Sequence, residues 1–192
     1  MIYNICRGLL RIIYAVLFRF EAEGLENIPA TGPVVLCSNH ISLLDPPTVG
    51  TKVKRKVHYM AKAELFEVPV LGPLIHRLGA FPVKRGGVSK DTIRKAIGLL
   101  KEGNVMGIFP EGTRKAGEDS AGKKGAAMIA LRSGATVIPV AIIGNYKLFR
   151  KMRIKYGKPI DMTAFIENPS SDVLEQVTEA IMTNIRTMAK QG

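Results

Sequence analysis

Val34-Val35-Leu36-Cys37-Ser38-Asn39-His40-Ile41-Ser42-Leu43-Leu44-Asp45-Pro46-Pro47 is the stretch on which the fold turns. Its opening apolar run reads as a strand over 33–38. The Asp45-Pro46-Pro47 step then argues against one helix running through the polar residues. A residue before proline is driven out of the α region, whereas proline suits a first helical position. The segment therefore reads as strand, loop and a helix from Pro46, with Asp45 as its cap. On one helix His40 and Asp45 would sit about 140° apart at 100° per residue, but a loop can turn them toward each other. An imidazole so paired can take a proton from a hydroxyl near neutral pH, while the carboxylate fixes its tautomer and stabilises the imidazolium. The H-x4-D spacing alone carries little weight. Its bland reading is a helix cap and a surface histidine.

Working outward, short apolar runs predict strands near 33–38, 56–61, 80–83, 105–109, 136–143 and 151–157. Amphipathic stretches predict helices near 46–53, 69–77, 89–102, 123–133 and 170–190, with Ser89 and Ser171 as capping hydroxyls. This alternation is that of an α/β fold: a single domain with a largely parallel central sheet flanked by helices, preceded by an amphipathic N-terminal helix. Ligands of such sheets bind at the carboxyl ends of the strands.

Two further segments fall at predicted strand ends. Gly79-Ala80-Phe81-Pro82-Val83-Lys84-Arg85 closes an apolar run with two cations, and Phe109-Pro110-Glu111-Gly112-Thr113-Arg114 follows the run from Val105. Each brings a guanidinium, whose planar fork holds phosphate bidentately, together with a glycine that permits close backbone approach. Each reads as half of a phosphate clamp. Near matches to other chemistry fail on their residues. Gly117-x4-Gly122-Lys123-Lys124 approaches a phosphate-binding loop, but Lys124 replaces the magnesium-ligating hydroxyl, and Glu118 and Asp119 would face the phosphates. Cys37-x2-His40 lacks a second ligand pair, and Cys37 reads as a buried strand residue. His58 and His76 have no acidic partner at useful spacing. No serine lies in a G-x-S-x-G elbow, so the histidine and aspartate look suited to activating a substrate hydroxyl directly.

Taken in order, Asn39-His40-x4-Asp45, Gly79 to Arg85, Phe109 to Arg114 and the proline-centred apolar stretch Val137-Ile138-Pro139-Val140-Ala141 resemble the glycerolipid acyltransferase family. Within it the resemblance is closest to the bacterial 1-acyl-glycerol-3-phosphate acyltransferases. Met60-Ala61-Lys62-Ala63-Glu64-Leu65-Phe66 and Lys123-Lys124-Gly125-Ala126 also look like family segments. Lys84 stands where many members carry an acid and Lys115 where many carry serine, departures that bear on substrate preference more than on reaction type. The resemblance implies His40 and Asp45 as the catalytic pair, Lys62 and Arg85 on the acceptor phosphate, and Glu111, Gly112, Thr113 and Arg114 shaping the acceptor pocket. It also implies lysophosphatidic acid as acceptor, acyl-CoA or acyl carrier protein (acyl-ACP) as donor, phosphatidic acid as product, and no metal or resident cofactor. The alternatives are a related acyltransferase acting on glycerol-3-phosphate or another lysophospholipid, an acyl thioesterase, and a non-enzymatic basic lipid-binding module.

Composition narrows the partners. Across 192 residues, 28 Lys and Arg against 16 acids give a formal charge of +12, which calls for an anionic partner. Aromatics make up 6% and tryptophan is absent, which disfavours a base-stacking platform and with it a nucleic acid. A membrane surface with anionic lipid fits better, and Lys147 to Lys158, with six cations and no acid, is a candidate face for it or for a carrier. Two cysteines, Cys6 and Cys37, are too few for a disulfide framework and favour a reducing compartment.

Residues 1–20 contain Arg7, Arg11 and Arg19 and no acid, and their longest uncharged apolar stretch, Ile12 to Phe18, is far short of the roughly 20 residues of a spanning helix. No small-residue cleavage site follows a clean apolar segment. The expectation is an interfacial helix over 1–20 with snorkelling arginines, ahead of a catalytic domain over 21–192, in a protein held peripherally or monotopically on the cytoplasmic face of the cell membrane. The loop Gly117 to Ala121 reads as an exposed connection and a candidate gate to the site.

Overall fold

Apolar runs and glycine-marked turns divide the chain into alternating strands and helices. The computed structural model describes residues 2–83, 89–114, 122–167 and 170–191. Helix α1 (Ile2–Phe18) leads into strand β1 (Phe20–Glu23), followed by β2 (Val34–Ser38) and α2 (Asp45–Thr51). Next come β3 (Val57–Lys62), α3 (Leu71–Arg77), β4 (Ala80–Val83), α4 (Lys90–Lys101) and β5 (Val105–Ile108). The chain ends with α5 (Gly125–Ser133), β6 (Thr136–Ile143), β7 (Met152–Tyr156), α6 (Thr163–Glu167) and α7 (Val173–Lys190).

The strands form one seven-stranded sheet in the order β1-β7-β6-β2-β5-β3-β4. All neighbours are parallel except β6 and β7, so the sheet is largely parallel as expected. The two-residue period of a strand distributes its apolar side chains between two cores. Val35 and Cys37 of β2, with Met106 and Ile108 of β5, pack under α4, α5 and α7. Val34 and Leu36, with Val105 and Ile138, pack on the opposite face with Val49 and Val53 beside α2 and with Tyr14 and Phe18 of α1. Every residue of β2 is buried, which is why it reads as an unbroken apolar run. Gly107, in β5, marks a close approach: a β-carbon there would lie 2.1 Å from the Tyr59 ring.

Several local expectations need correction. The amino-terminal helix stops at Phe18, because Arg19 takes a positive φ of 43° and Phe20 opens β1. This strand, Phe-Glu-Ala-Glu, lay outside the predicted set because it is a short edge strand whose exposed acids hide its pairing to β7. The five-residue helix α6 was also not foreseen. Ser89 caps α4 as expected, accepting from the Thr92 amide. Ser171 does not cap α7: Asp172 holds that position, and the Ser171 hydroxyl donates to its carboxylate at 3.0 Å.

Arg7 and Arg11 do not snorkel toward lipid. They reach across to the end of α2, where Arg7 donates to the carbonyls of Val53 and Lys54 at 2.8 and 2.7 Å, and Arg11 to those of Thr51 and Lys52 at 2.8 and 3.2 Å. A helix carboxyl end carries unpaired carbonyls and partial negative charge, so two guanidinium groups there satisfy both. The other face of α1 exposes Ile2, Ile5, Leu9, Ile12 and Val16, spaced by three and four residues. Thus α1 is docked on one side and apolar on the other. No described helix is long and apolar enough to cross a membrane.

Candidate active site

Because β2, β3, β4, β5 and β6 run in the same direction, their carboxyl ends share one edge of the sheet. His40 follows β2, Lys62 ends β3, Arg85 follows β4, and Phe109 to Arg114 follow β5. The ends of these strands, remote in sequence, therefore converge by topology.

At that edge His40 Nδ1 lies 2.6 Å from Asp45 Oδ2. The same oxygen accepts the backbone amides of Ile41 and Ser42 at 2.6 and 2.7 Å, and Oδ1 accepts the Tyr146 hydroxyl at 2.6 Å. Asp45 is 0% exposed and the His40 side chain 19%. Burying a carboxylate is costly unless its lone pairs are satisfied, and here four donors do so. Asp45 consequently does not cap α2: its side chain turns back over the loop instead of forward onto the helix amides, and the helix begins at Asp45 with Pro46 and Pro47 in its first turn. The bland reading of these two residues fails on this geometry. With Nδ1 committed to Asp45, Nε2 is the ring nitrogen left to exchange a proton with another group.

Phe109 stacks on the His40 ring at 4.2 Å between centroids and 20° between planes, and Tyr59 stacks on Phe109 at 6.3 Å. The imidazole is thus clamped between a carboxylate at its edge and an aromatic face. Asn39 has a structural role, its side-chain amide pairing with both the carbonyl and the amide of Ile142 at 3.0 and 2.8 Å, which ties the loop to β6. Glu111 turns in beside the pair. Burial pushes its carboxyl above the ordinary value, against a hydrogen bond from the His40 backbone amide that pulls it down. Thr113 and Arg114 are exposed in the turn after β5, and Gly112 has a φ of +68° with the Lys123 side chain laid over it. A β-carbon at Gly112 would come within 2.9 Å of the Lys123 ammonium nitrogen, so this lysine brings a further cation to the site. Lys62 is exposed and pairs in register with Val83, at the last described position before residues 84–88. Arg85 lies outside the described residues, as do Lys84, Lys115 and the loop Gly117 to Ala121.

Cys37 is fully buried, and burial raises its thiol to about 12, far from a reactive thiolate. His58 packs 3.0 Å from the Gly79 carbonyl, and burial lowers its pKa. Both cysteines are free. Among the described residues no cluster of His, Cys, Asp and Glu could hold a metal ion.

Three contributors were missed by sequence reasoning: Tyr146, Phe109 as a stacking partner, and Lys123. Tyr146 follows β6 by three residues, so the strand-end rule that selected the other segments would have found it. An apolar cavity of about 560 Å³ opens beside the loop, lined by Leu43, Pro46, Tyr59, Met60, Leu71 and Leu74 among others. Its size is that of a small-molecule site.

Comparison with known proteins identifies the family. A family model described as Acyltransferase matches residues 19–143. A 1-acyl-sn-glycerol-3-phosphate acyltransferase of Bacillus subtilis is 34% identical over 192 residues, covering 97% of this chain and 96% of that protein. One from Streptococcus pneumoniae is 27% identical, covering 100% of this chain and 74% of its own. The crystal structure of the 1-acyl-sn-glycerophosphate acyltransferase PlsC from Thermotoga maritima superposes with a TM-score of 0.70 at 29% identity, covering 89% of this chain and 72% of that one. With a family model spanning most of its length and a relative aligned almost end to end, the chain belongs to the acyltransferase family.

Proposed function

We propose that this protein transfers an acyl group from acyl-CoA or acyl-ACP to the free hydroxyl of 1-acyl-sn-glycerol-3-phosphate, giving phosphatidic acid. The observation that carries the reading is the His40–Asp45 pair, with Nδ1 held at 2.6 Å by a buried, fully satisfied carboxylate. The names borne by the relatives supply the acceptor.

In this mechanism His40 Nε2 takes the hydroxyl proton as the oxygen attacks the thioester carbonyl, and Asp45 stabilises the resulting imidazolium. The tetrahedral adduct collapses by breaking its C–S bond. The departing thiolate recovers the proton from His40, so no acyl-enzyme forms and no cofactor is consumed. Arg85 and Lys62 hold the acceptor phosphate, while Glu111, Gly112, Thr113 and Arg114 shape its pocket. Apolar walls beside Leu43 and Pro46 suit an acyl chain.

The reading places the protein on a membrane surface with anionic lipid, at the cytoplasmic face of the cell membrane. Support comes from the apolar stripe of α1 and from the exposed Leu148 and Phe149 beside the cations Lys147, Arg150 and Lys151. Helix α1 (Ile2–Phe18) serves as the interfacial segment, and the catalytic domain begins with β1 at Phe20. The test is purified protein with acyl thioesters and lysophosphatidic acid, followed by lipid mass analysis. Phosphatidic acid is the expected product, and acyl release that proceeds equally well without acceptor would instead mark a thioesterase.

A further inference from the structure

The catalytic carboxylate has a second oxygen, and what holds it does not belong to any of the four sequence blocks. Asp45 Oδ1 accepts the Tyr146 hydroxyl at 2.6 Å. That hydroxyl lies 2.9 Å from Thr48 Oγ1, which in turn lies 3.2 Å from the hydroxyl of Tyr14 and 2.7 Å from the Leu44 carbonyl. Tyr14 also donates to the Leu44 carbonyl at 3.1 Å. Tyr14 and Thr48 are buried and Tyr146 is half-buried, so the inner part of the chain of hydroxyls is shielded from water. Contacts of another kind reinforce it. Phe18 of α1 packs edge-on against the Tyr146 ring at 5.7 Å, Tyr14 packs edge-on against Phe18, and the Phe149 amide donates to the Leu17 carbonyl at 2.6 Å.

We propose that Tyr146 is a positioning residue for the Asp45–His40 pair, and that α1, through Tyr14 and Phe18, holds Tyr146 in place, so that seating of the amino-terminal helix sets the alignment of the catalytic carboxylate. It rests on the general-base reading of His40. An ionised carboxylate only accepts, so Tyr146 must be the donor to Oδ1, and burial raises its pKa, which keeps it protonated. Without this donor, Asp45 keeps the three bonds to Oδ2 but can rotate about them. It also holds the imidazolium more tightly, because its charge is less neutralised. The helix that presents an apolar face outward is therefore wired, through hydroxyls, to the acid of the dyad. Networks of this kind act as units and show non-additive losses. The titratable groups facing Asp45 among the described residues are His40, Tyr146 and Tyr14, with Glu111 acting at longer range.

The experiment compares wild type, Tyr146→Phe, Tyr14→Phe and the double variant in the full chain. Folding is checked by circular dichroism. Turnover is measured with acyl-CoA and a short-chain lysophosphatidate kept below its micelle concentration, so that membrane docking plays no part. Tyr146→Phe should lower kcat roughly 10-fold, less than the 10² to 10⁴ a general base itself supplies, with the acceptor KM unchanged and the acid limb of kcat/KM moved to higher pH. Tyr14→Phe should lower kcat by a smaller factor, and the double variant should match Tyr146→Phe alone. A substrate-free readout runs beside these: the downfield Nδ1 proton of His40, followed by NMR, should change position or broaden in both single variants. Wild-type kcat with an unmoved His40 resonance in Tyr146→Phe would overturn the proposal. So would a Tyr14→Phe defect confined to vesicle-borne acceptor, or fully additive losses. Absence of turnover in the wild type would reject the proposed function, and the His40 resonance would then decide this inference by itself.

Discussion

At the scale of single residues, the arrangement concentrates cost and function in the same few atoms. Asp45 is a buried carboxylate that takes four hydrogen bonds, and one of them fixes the His40 ring. Replacing His40 by alanine should lower kcat by on the order of 10² to 10⁴ and leave the fold intact, but at a cost of about 1.5–3 kcal/mol in stability, since buried Asp45 loses one of its four donors. Steady-state assays and urea titration on the same preparation check both halves. Asp45→Asn should lose activity as well, because an amide nitrogen in place of one carboxylate oxygen would face donors and misorient the imidazole. Arg85→Ala should weaken phosphorylated acceptors selectively, by roughly 1.5–3 kcal/mol for a lost charge-assisted bond. Equal losses toward acceptors with and without phosphate would count against that assignment. A stability prediction stands apart from the chemistry. Gly107→Ala puts a methyl group 2.1 Å from the Tyr59 ring in the middle of the sheet, and should cost about 1–3 kcal/mol in denaturant unfolding.

Among the elements, α1 does the most that its sequence does not announce. Its arginines read as lipid-facing because three cations and no acid fall in one amphipathic segment. The structure spends two of them on the carbonyls that end α2, a pairing invisible until both helices are placed. Its apolar stripe, by contrast, follows directly from the helical period. Arg11→Ala should destabilise the protein by about 1 kcal/mol, as expected for a cation lost from a helix carboxyl end, and thermal unfolding will show it. Changing Ile5, Leu9 and Ile12 together to serine should abolish sedimentation with anionic vesicles yet spare turnover of a monomeric acceptor, because these side chains are 61%, 58% and 65% exposed. Deleting α1 outright should be harsher, removing Tyr14 and Phe18 from the core and stripping the support beneath Tyr146. Strands were the most legible elements. β2 and β6 are apolar on both faces and stand out as runs, whereas β1 is short, half-acidic and at the edge, and gives no comparable signal.

For the whole molecule, the parallel sheet explains why a reading along the chain could assemble the site. Residues after β2, β4 and β5 were noticed for local reasons and Lys62 of β3 through the family resemblance, and one topological rule brings the ends of those strands to one edge. That rule applied once more, after β6, reaches Tyr146. Sequence could not supply the two-sided use of Asp45 or the stacking of Phe109 on His40, since both depend on side chains meeting across loops. The distribution of charge belongs to this scale too. A +12 chain with an apolar stripe on α1 should bind anionic vesicles more tightly than neutral ones, and the difference should shrink as salt rises toward molar concentrations. Identical binding to both lipids would show that charge plays no part. We propose that His40 activates an acceptor hydroxyl without any acyl-enzyme. It is tested most directly by mixing stoichiometric protein with a labelled acyl thioester and following thiol release, first alone and then with lysophosphatidic acid. No burst of thiol and no labelled protein should appear until the acceptor is added, after which label should pass to phosphatidic acid. A stoichiometric burst with label bound to the chain in the absence of acceptor would contradict the account.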